Sequence, residues 1–236
     1  MTDHIPNRSA LSKKSNPLGF LLDLVIYIAV MFLVRELYYS KVGFIANGLF
    51  WSITTFLVAT WRMRARGVTW KDLGLRQPKN LLKTLGKSAI ILVSVIAFIF
   101  AFELLKDHLP FSLAADTSVE SGATKFGNLK GNWGQFFLII PFIWLESMLE
   151  ELLDRAFLIH WLERVFSWTS FATVIAVLLQ AALFGFRHSN DLSERSITVG
   201  LIGLVMGIAY VKFGRNIWPL IIAHCVLNTL SMMERV

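Results

Sequence analysis

The sequence predicts an all-α fold: a polytopic membrane bundle of about seven transmembrane helices around a polar intramembrane cavity. Three observations carry this. The 236 residues are 55% hydrophobic and only 17% charged, with a mean hydropathy of +0.59, a balance foreign to soluble domains. Apolar runs near the roughly 20-residue length that crosses a bilayer recur along the chain. One of those runs nevertheless carries Glu146, Glu150, Glu151, Asp154 and Arg155.

The runs fall at 18–34, 43–61, 88–105, 136–161, 170–186, 197–213 and 218–232. The first follows a polar tail, 1–17, and shows no small-residue cleavage site, so it reads as a retained span and not a signal peptide. Between the second and third runs lie Arg62, Arg64, Arg66, Lys71, Arg76, Lys79, Lys83 and Lys87 against Asp72 alone. The positive-inside rule puts this connection and the N-terminal tail, with Arg8, Lys13 and Lys14, in the cytoplasm, and seven spans then put the C-terminus outside. Trp residues interleaved with the basic ones predict that part of the connection lies along the headgroups as an interfacial helix. The stretch from Lys106 to Gln135, rich in Gly, Ser, Ala and Thr, reads as an external loop. The short turn with Lys212 and Arg215 returns inside. In the sixth run Gly200, Gly203 and Gly207 let a second helix approach closely.

The chain reads as one membrane domain, 1–236, in which 136–232 carries the chemistry. The net charge of +7 is no nucleic-acid signal, because the cations gather beside helix ends. A single cysteine, Cys225, gives neither an intramolecular disulfide nor a zinc or redox spacing. No internal repeat suggests a transporter. Membrane lipid is the implied surrounding, the small size suits a bacterial inner membrane, and nothing in the sequence sets the oligomeric state.

A charge at the centre of a spanning helix costs about 2.5 to 3.5 kcal/mol on insertion scales, so such residues face a polar interior and mark function. Positions four apart stack on a helix. Glu146, Glu150 and Asp154 therefore form one row, and Ser147, Glu151 and Arg155 the next. Glu151 precedes Arg155 in the favourable orientation for an ion pair. The carboxylates of the first row have only each other as neighbours, the setting in which Glu150 becomes a candidate general base. The competing reading makes these charges a solvated helix end, as Glu163 and Arg164 are taken to be. In other apolar helices lie His188, in FGFRH, and His224, four residues before Asn228 in HCVLN. The i, i+4 spacing points imidazole and carboxamide at one spot, which is what an oxyanion needs.

These three stretches carry a resemblance. EELLDR (150–155) fits EExxxR, FGFRH (184–188) fits FxxxH, and HCVLN (224–228) fits HxxxN, in the order seen in the CPBP family of CAAX prenyl endopeptidases and bacteriocin-processing or immunity relatives. A DLGL stretch at Asp72 to Leu75 agrees in general character. The resemblance implies a glutamic-type intramembrane endopeptidase without a cofactor or metal, acting on a membrane-associated or lipidated peptide or protein. It implies that Glu150 and His188 activate water, that His224 and Asn228 stabilise the oxyanion, and that Glu151 and Arg155 support them. Asp154, where an apolar aromatic is more usual, and Ala156, where Gly is common, depart from the pattern. HExxH, GxGD, GxSxG and GxSG are absent, which removes zinc site-2, presenilin-like, hydrolase-elbow and rhomboid chemistries. A metal-dependent protease using the same His and carboxylates, and a non-catalytic immunity or peptide-binding protein, stay open.

Depth sets one difficulty. At about 1.5 Å per residue, Glu150 and His224 reach similar levels, whereas His188, counted from residue 170, comes close to the outer surface. The aromatic cluster Trp161, Phe166, Trp168 and Phe171 predicts that residues 162–175 run partly along the membrane before the fifth span starts.

Overall fold

A computed structural model describes residues 16–108, 114, 126–189, 191 and 193–236. The polar tail up to residue 15, with its three cations, and most of the external loop lie outside the described residues. Every apolar run becomes helix. α1 is Pro17–Leu33, opened by Asn16, whose side chain accepts from the Gly19 N–H, and by Pro17 at the first helical position; proline costs nothing there because its missing N–H would be unpaired anyway. α2 is Gly43–Ala65 and α3 is Leu81–Leu105. Asn80 caps α3 by accepting from the Lys83 N–H at 2.9 Å, so this helix starts seven residues before the expected 88. Its extra turns carry Lys83 and Lys87, and the Lys87 ammonium donates to the Phe213 carbonyl at 3.0 Å.

α4 (Trp133–Glu150) runs without a break into a π-helical segment (Glu151–Leu158) and then α5 (Ile159–Val165). α6 is Ala172–Ser189, α7 is Glu194–Lys212 and α8 is Trp218–Met233. Five helices, with their short flanking turns, are long and apolar enough to cross a bilayer, and α8 is apolar but shorter. The α4 run, loaded with acids, is the remaining one. Among the described residues there is no strand, only a single bridge between Ala114 and Ser193.

Glycine packing works as expected and includes one glycine beyond the expected three. On α6, a Cβ added to Gly185 would come 2.3 Å from the Ser196 carbonyl oxygen of α7. The two backbones therefore touch beside the FxxxH stretch.

The basic connection after α2 is not an interfacial helix. Gly67 at φ +67° and Gly74 at φ +105° take left-handed conformations that end helical runs, and the segment folds into turns. Trp70 stacks on Phe56 with ring centroids 4.9 Å apart and donates to the Thr60 hydroxyl. The Leu73 carbonyl accepts from the Tyr210 hydroxyl at 2.7 Å, and the Gly74 carbonyl from the Ile217 N–H at 3.3 Å. In this way the DLGL stretch props the entry to α8. Glu163 is no solvated terminus either, since Arg215 clamps both its oxygens at 2.6 and 2.9 Å.

Trp161 is likewise not interfacial. It is fully buried, stacks on Phe157, and donates to Asp23, itself held by Arg62 at 2.6 Å and Arg66 at 2.8 Å. Of the aromatic cluster, only Trp168 and Phe171 are well exposed. The fifth span begins at Ala172, two residues from the sequence estimate, so a surface-lying segment is not what brings His188 into range. The eight residues of the π segment and the seven of α5 put Glu150 roughly 22 Å from the end of its helix, while His188, the seventeenth residue of α6, lies roughly 24 Å from its start. These two levels agree. α8 is the offset element, with His224 only the seventh residue of its helix.

Candidate active site

The junction of α4 with the π segment, the last turn of α6 and the middle of α8 meet at one point. There the Glu150 carboxylate has Oε1 3.7 Å from His188 Nε2 and Oε2 3.6 Å from His224 Nε2. All three side chains are largely buried yet line a cavity of about 440 Å³, together with Asn228, Arg35, Glu146 and Trp51. The reading as a solvated helix end is thereby overturned, because every residue from Glu151 to Ile159 is buried. The π turn, with its i→i+5 pattern, replaces the α geometry on which the two rows were drawn; such bulges recur at functional sites.

The environment fixes each ring. His188 Nδ1 lies 2.6 Å from the Phe184 carbonyl, which can only accept, so Nδ1 carries the proton and Nε2 turns a lone pair toward Glu150. His224 Nδ1 donates to Glu151 Oε1 at 2.7 Å. The same oxygen takes Arg155 Nη1 at 3.2 Å, as the i, i+4 spacing predicts. Asn228 donates to the Ser147 hydroxyl at 2.9 Å, which donates onward to the Ile143 carbonyl at 2.8 Å. All six sequence-derived residues, Glu150, Glu151, Arg155, His188, His224 and Asn228, are thus in one neighbourhood.

Phe184 explains its place in the FxxxH pattern twice over. Its carbonyl orients His188, and its ring faces the Arg155 guanidinium at 4.0 Å, a cation–π contact that helps offset the burial of a fully enclosed charge. Gly48 of α2 leaves room for Glu146, whose Oε1 would be 2.8 Å from a Cβ there.

One residue was missed. Arg187, adjacent to His188, brings Nη2 2.9 Å from Glu150 Oε1 and 2.8 Å from Asp154 Oδ2. The first-row carboxylates therefore do not face only each other, and Asp154, the departure from the family pattern, has a cation of its own. The available signal was an arginine inside an apolar helix, which is as costly as the acids were and needs a partner for the same reason. Among the described residues, no group of three or more His, Cys, Asp or Glu side chains is arranged to hold a metal ion.

Residues 132–230 match the family described as type II CAAX prenyl endopeptidase, Rce1-like. Over this stretch the chain is similar to that family. The matched span runs from the start of α4 almost to the end of α8 and contains all three motifs, so the matched segment and the converging side chains coincide. The family is one of membrane peptidases, and the long apolar helices make the chain an integral membrane protein. Neither the curated proteins nor the solved structures yield a match.

Proposed function

We propose that the chain is a glutamic-type intramembrane endopeptidase in which Glu150, with His188, activates a water molecule. The observation that supports this best is the placing of one carboxylate between two imidazole Nε2 atoms at 3.7 and 3.6 Å. These separations are too long for direct hydrogen bonds and suit a water shared between acid and base. The His188 tautomer leaves Nε2 free to accept, so Glu150 and His188 together take the proton as the water oxygen attacks the peptide carbonyl. The carbonyl oxygen becomes an oxyanion, which protonated His224 and the Asn228 amide stabilise by donation. Glu151, held by Arg155, supports the imidazolium of His224. Collapse of the tetrahedral intermediate breaks the C–N bond, and the proton taken from water passes to the departing amine.

The cavity is lined by residues from the end of α1, the start of α2, α4, the end of α6 and α8. With the basic connections cytoplasmic, that mouth faces the outer side of a bacterial inner membrane, and the N-terminus lies inside. The substrate is a membrane-associated peptide, and the description of the matched family makes a prenylated C-terminus the first class to try. The test is cleavage of an internally quenched farnesylated peptide by purified protein in detergent. Glu150→Gln, which keeps the shape and removes the base, is expected to lower the rate by about 10³-fold, within the range a general base contributes. Wild-type activity in that variant rules the assignment out.

A further inference from the structure

The charges around Glu150 form a chain of alternating sign. Glu151 pairs with Arg155 at 3.2 Å, Arg155 approaches Asp154 at 3.9 Å, and Arg187 joins Asp154 at 2.8 Å to Glu150 at 2.9 Å. Arg187 borders the cavity and bonds Glu150, while Asp154 lies behind it and does not line the cavity. Both are nonetheless deeply buried, Arg187 with 8% of its side chain exposed and Asp154 with none. Burying a charge pair is no route to stability in itself, since apolar side chains of like volume serve as well or better. A pair kept there needs another reason, and geometry supplies one.

We propose that Arg187, anchored by Asp154, is a positioning residue that sets the rotation of the Glu150 carboxylate, a role that rests on the peptidase reading above. Arg187 takes Oε1, the oxygen that also faces His188, and so directs Oε2 toward His224. Without it, the carboxylate is free to turn about its terminal torsion, which has no sharp staggered wells, and the two imidazoles lose their fixed oxygens. The residue is itself held at both ends. Asp154 grips the guanidinium, whose Cζ lies 5.1 Å from the Phe184 ring centroid, and the Arg187 backbone carbonyl accepts from Arg35. One nitrogen, Nη2, makes both carboxylate contacts. The contact is thus a point-charge bridge and not a planar fork, and a lysine ammonium can in principle replace it.

The experiment measures kcat and KM with the quenched farnesylated peptide for wild type, Glu150→Gln, Arg187→Lys, Arg187→Gln and the double variant Asp154→Asn/Arg187→Gln. The double variant removes one charge of each sign, which protects folding, and thermal denaturation in detergent checks that it does. The expected result is a kcat loss of about 10²-fold in the double variant, the size of effect that small misplacement of a reacting group brings, with KM unchanged. Arg187→Lys is expected to recover most of the loss seen in Arg187→Gln. A folded double variant with wild-type kcat, a change confined to KM, or a lysine variant no better than glutamine overturns the proposal. If Glu150→Gln cleaves like wild type, or wild type leaves the peptide intact, the peptidase reading itself falls and the role of Arg187 with it. An inactive Glu150→Gln beside a fully active double variant removes the positioning role alone.

Discussion

Gly185→Ala offers a sharp test of how the helix contact serves the site, because it changes no charged or hydrogen-bonding group. The added methyl would lie 2.3 Å from the Ser196 carbonyl oxygen and 3.0 Å from two backbone atoms of Gly200. Ordinary contact starts near 3.4 Å, and what it meets is backbone, not a side-chain tip, so α6 and α7 must part by about 1 Å. Overpacking of this kind costs typically 1 to 3 kcal/mol. His188 sits three residues further along α6, within one turn, and is carried with it. A shift near 1 Å at a reacting group costs on the order of 10²-fold in rate. The assay pairs thermal denaturation of purified protein in detergent with cleavage of the quenched peptide. Gly200→Ala is the control, since its methyl meets nothing closer than 3.5 Å and should leave both readings near wild type. Equal behaviour of the two variants, whether both harmless or both harmful, would refute the reasoning.

Gly74→Ala combines φ +105° with a Cβ 1.8 Å from the Arg215 carbonyl oxygen, and is expected to destabilise by about 3 kcal/mol or more; detergent thermal melts indistinguishable from wild type would contradict the role given to the DLGL turn. Glu151→Gln keeps an oxygen to accept from His224 but removes the negative charge beside His224 and fully buried Arg155, leaving Arg155 only Asp154 at 3.9 Å, so a stability loss of roughly 3 kcal/mol should accompany a kcat loss larger than that of any surface variant, read by melting and cleavage side by side. Incubation with a strong chelator is expected to leave cleavage unchanged; loss of activity restored by one divalent ion would revive the metal-dependent reading. At the Asp72 turn, the Thr69 hydroxyl donates to the carboxylate and holds it below its ordinary value of 3.8. A depressed carboxylate contributes stability above its unfolded value and loses it as pH falls through the folded one, so Thr69→Val should reduce stability at neutral pH and show less further loss below about pH 4.

The legible part of this molecule was the part written in single-residue costs. Acids within an apolar run, and a His and Asn four apart, announce themselves because each is expensive in lipid, and all six expected side chains meet. Partnerships between helices were not legible. Arg187 stood in plain view beside His188, but only the packing of the π segment against α6 shows that it bridges Glu150 and Asp154. Helix ends misled where local chemistry was weak. Trp161 looks like a headgroup aromatic until α4 is seen to continue through the π segment to Val165, which brings the indole against Asp23. The basic connection looked helical by composition, whereas Gly67 and Gly74 turn it back toward α8.

The eight residues wound as a π-helix from Glu151 to Leu158 leave a last consequence for how this chain can change. A π stretch holds more residues per turn than its neighbours, so removing one is the cheapest way to restore ordinary winding. Doing so would rewind Glu151–Leu158 as an ordinary α-helix and leave the flanking helices nearly in their present directions, while the side chains inside the segment change their neighbours. Glu151, Asp154 and Arg155, which lie inside the segment, would no longer project toward His224 and Arg187 as they do now. Chain length between residues 150 and 159 therefore matters to the site as much as the identity of its buried charges does.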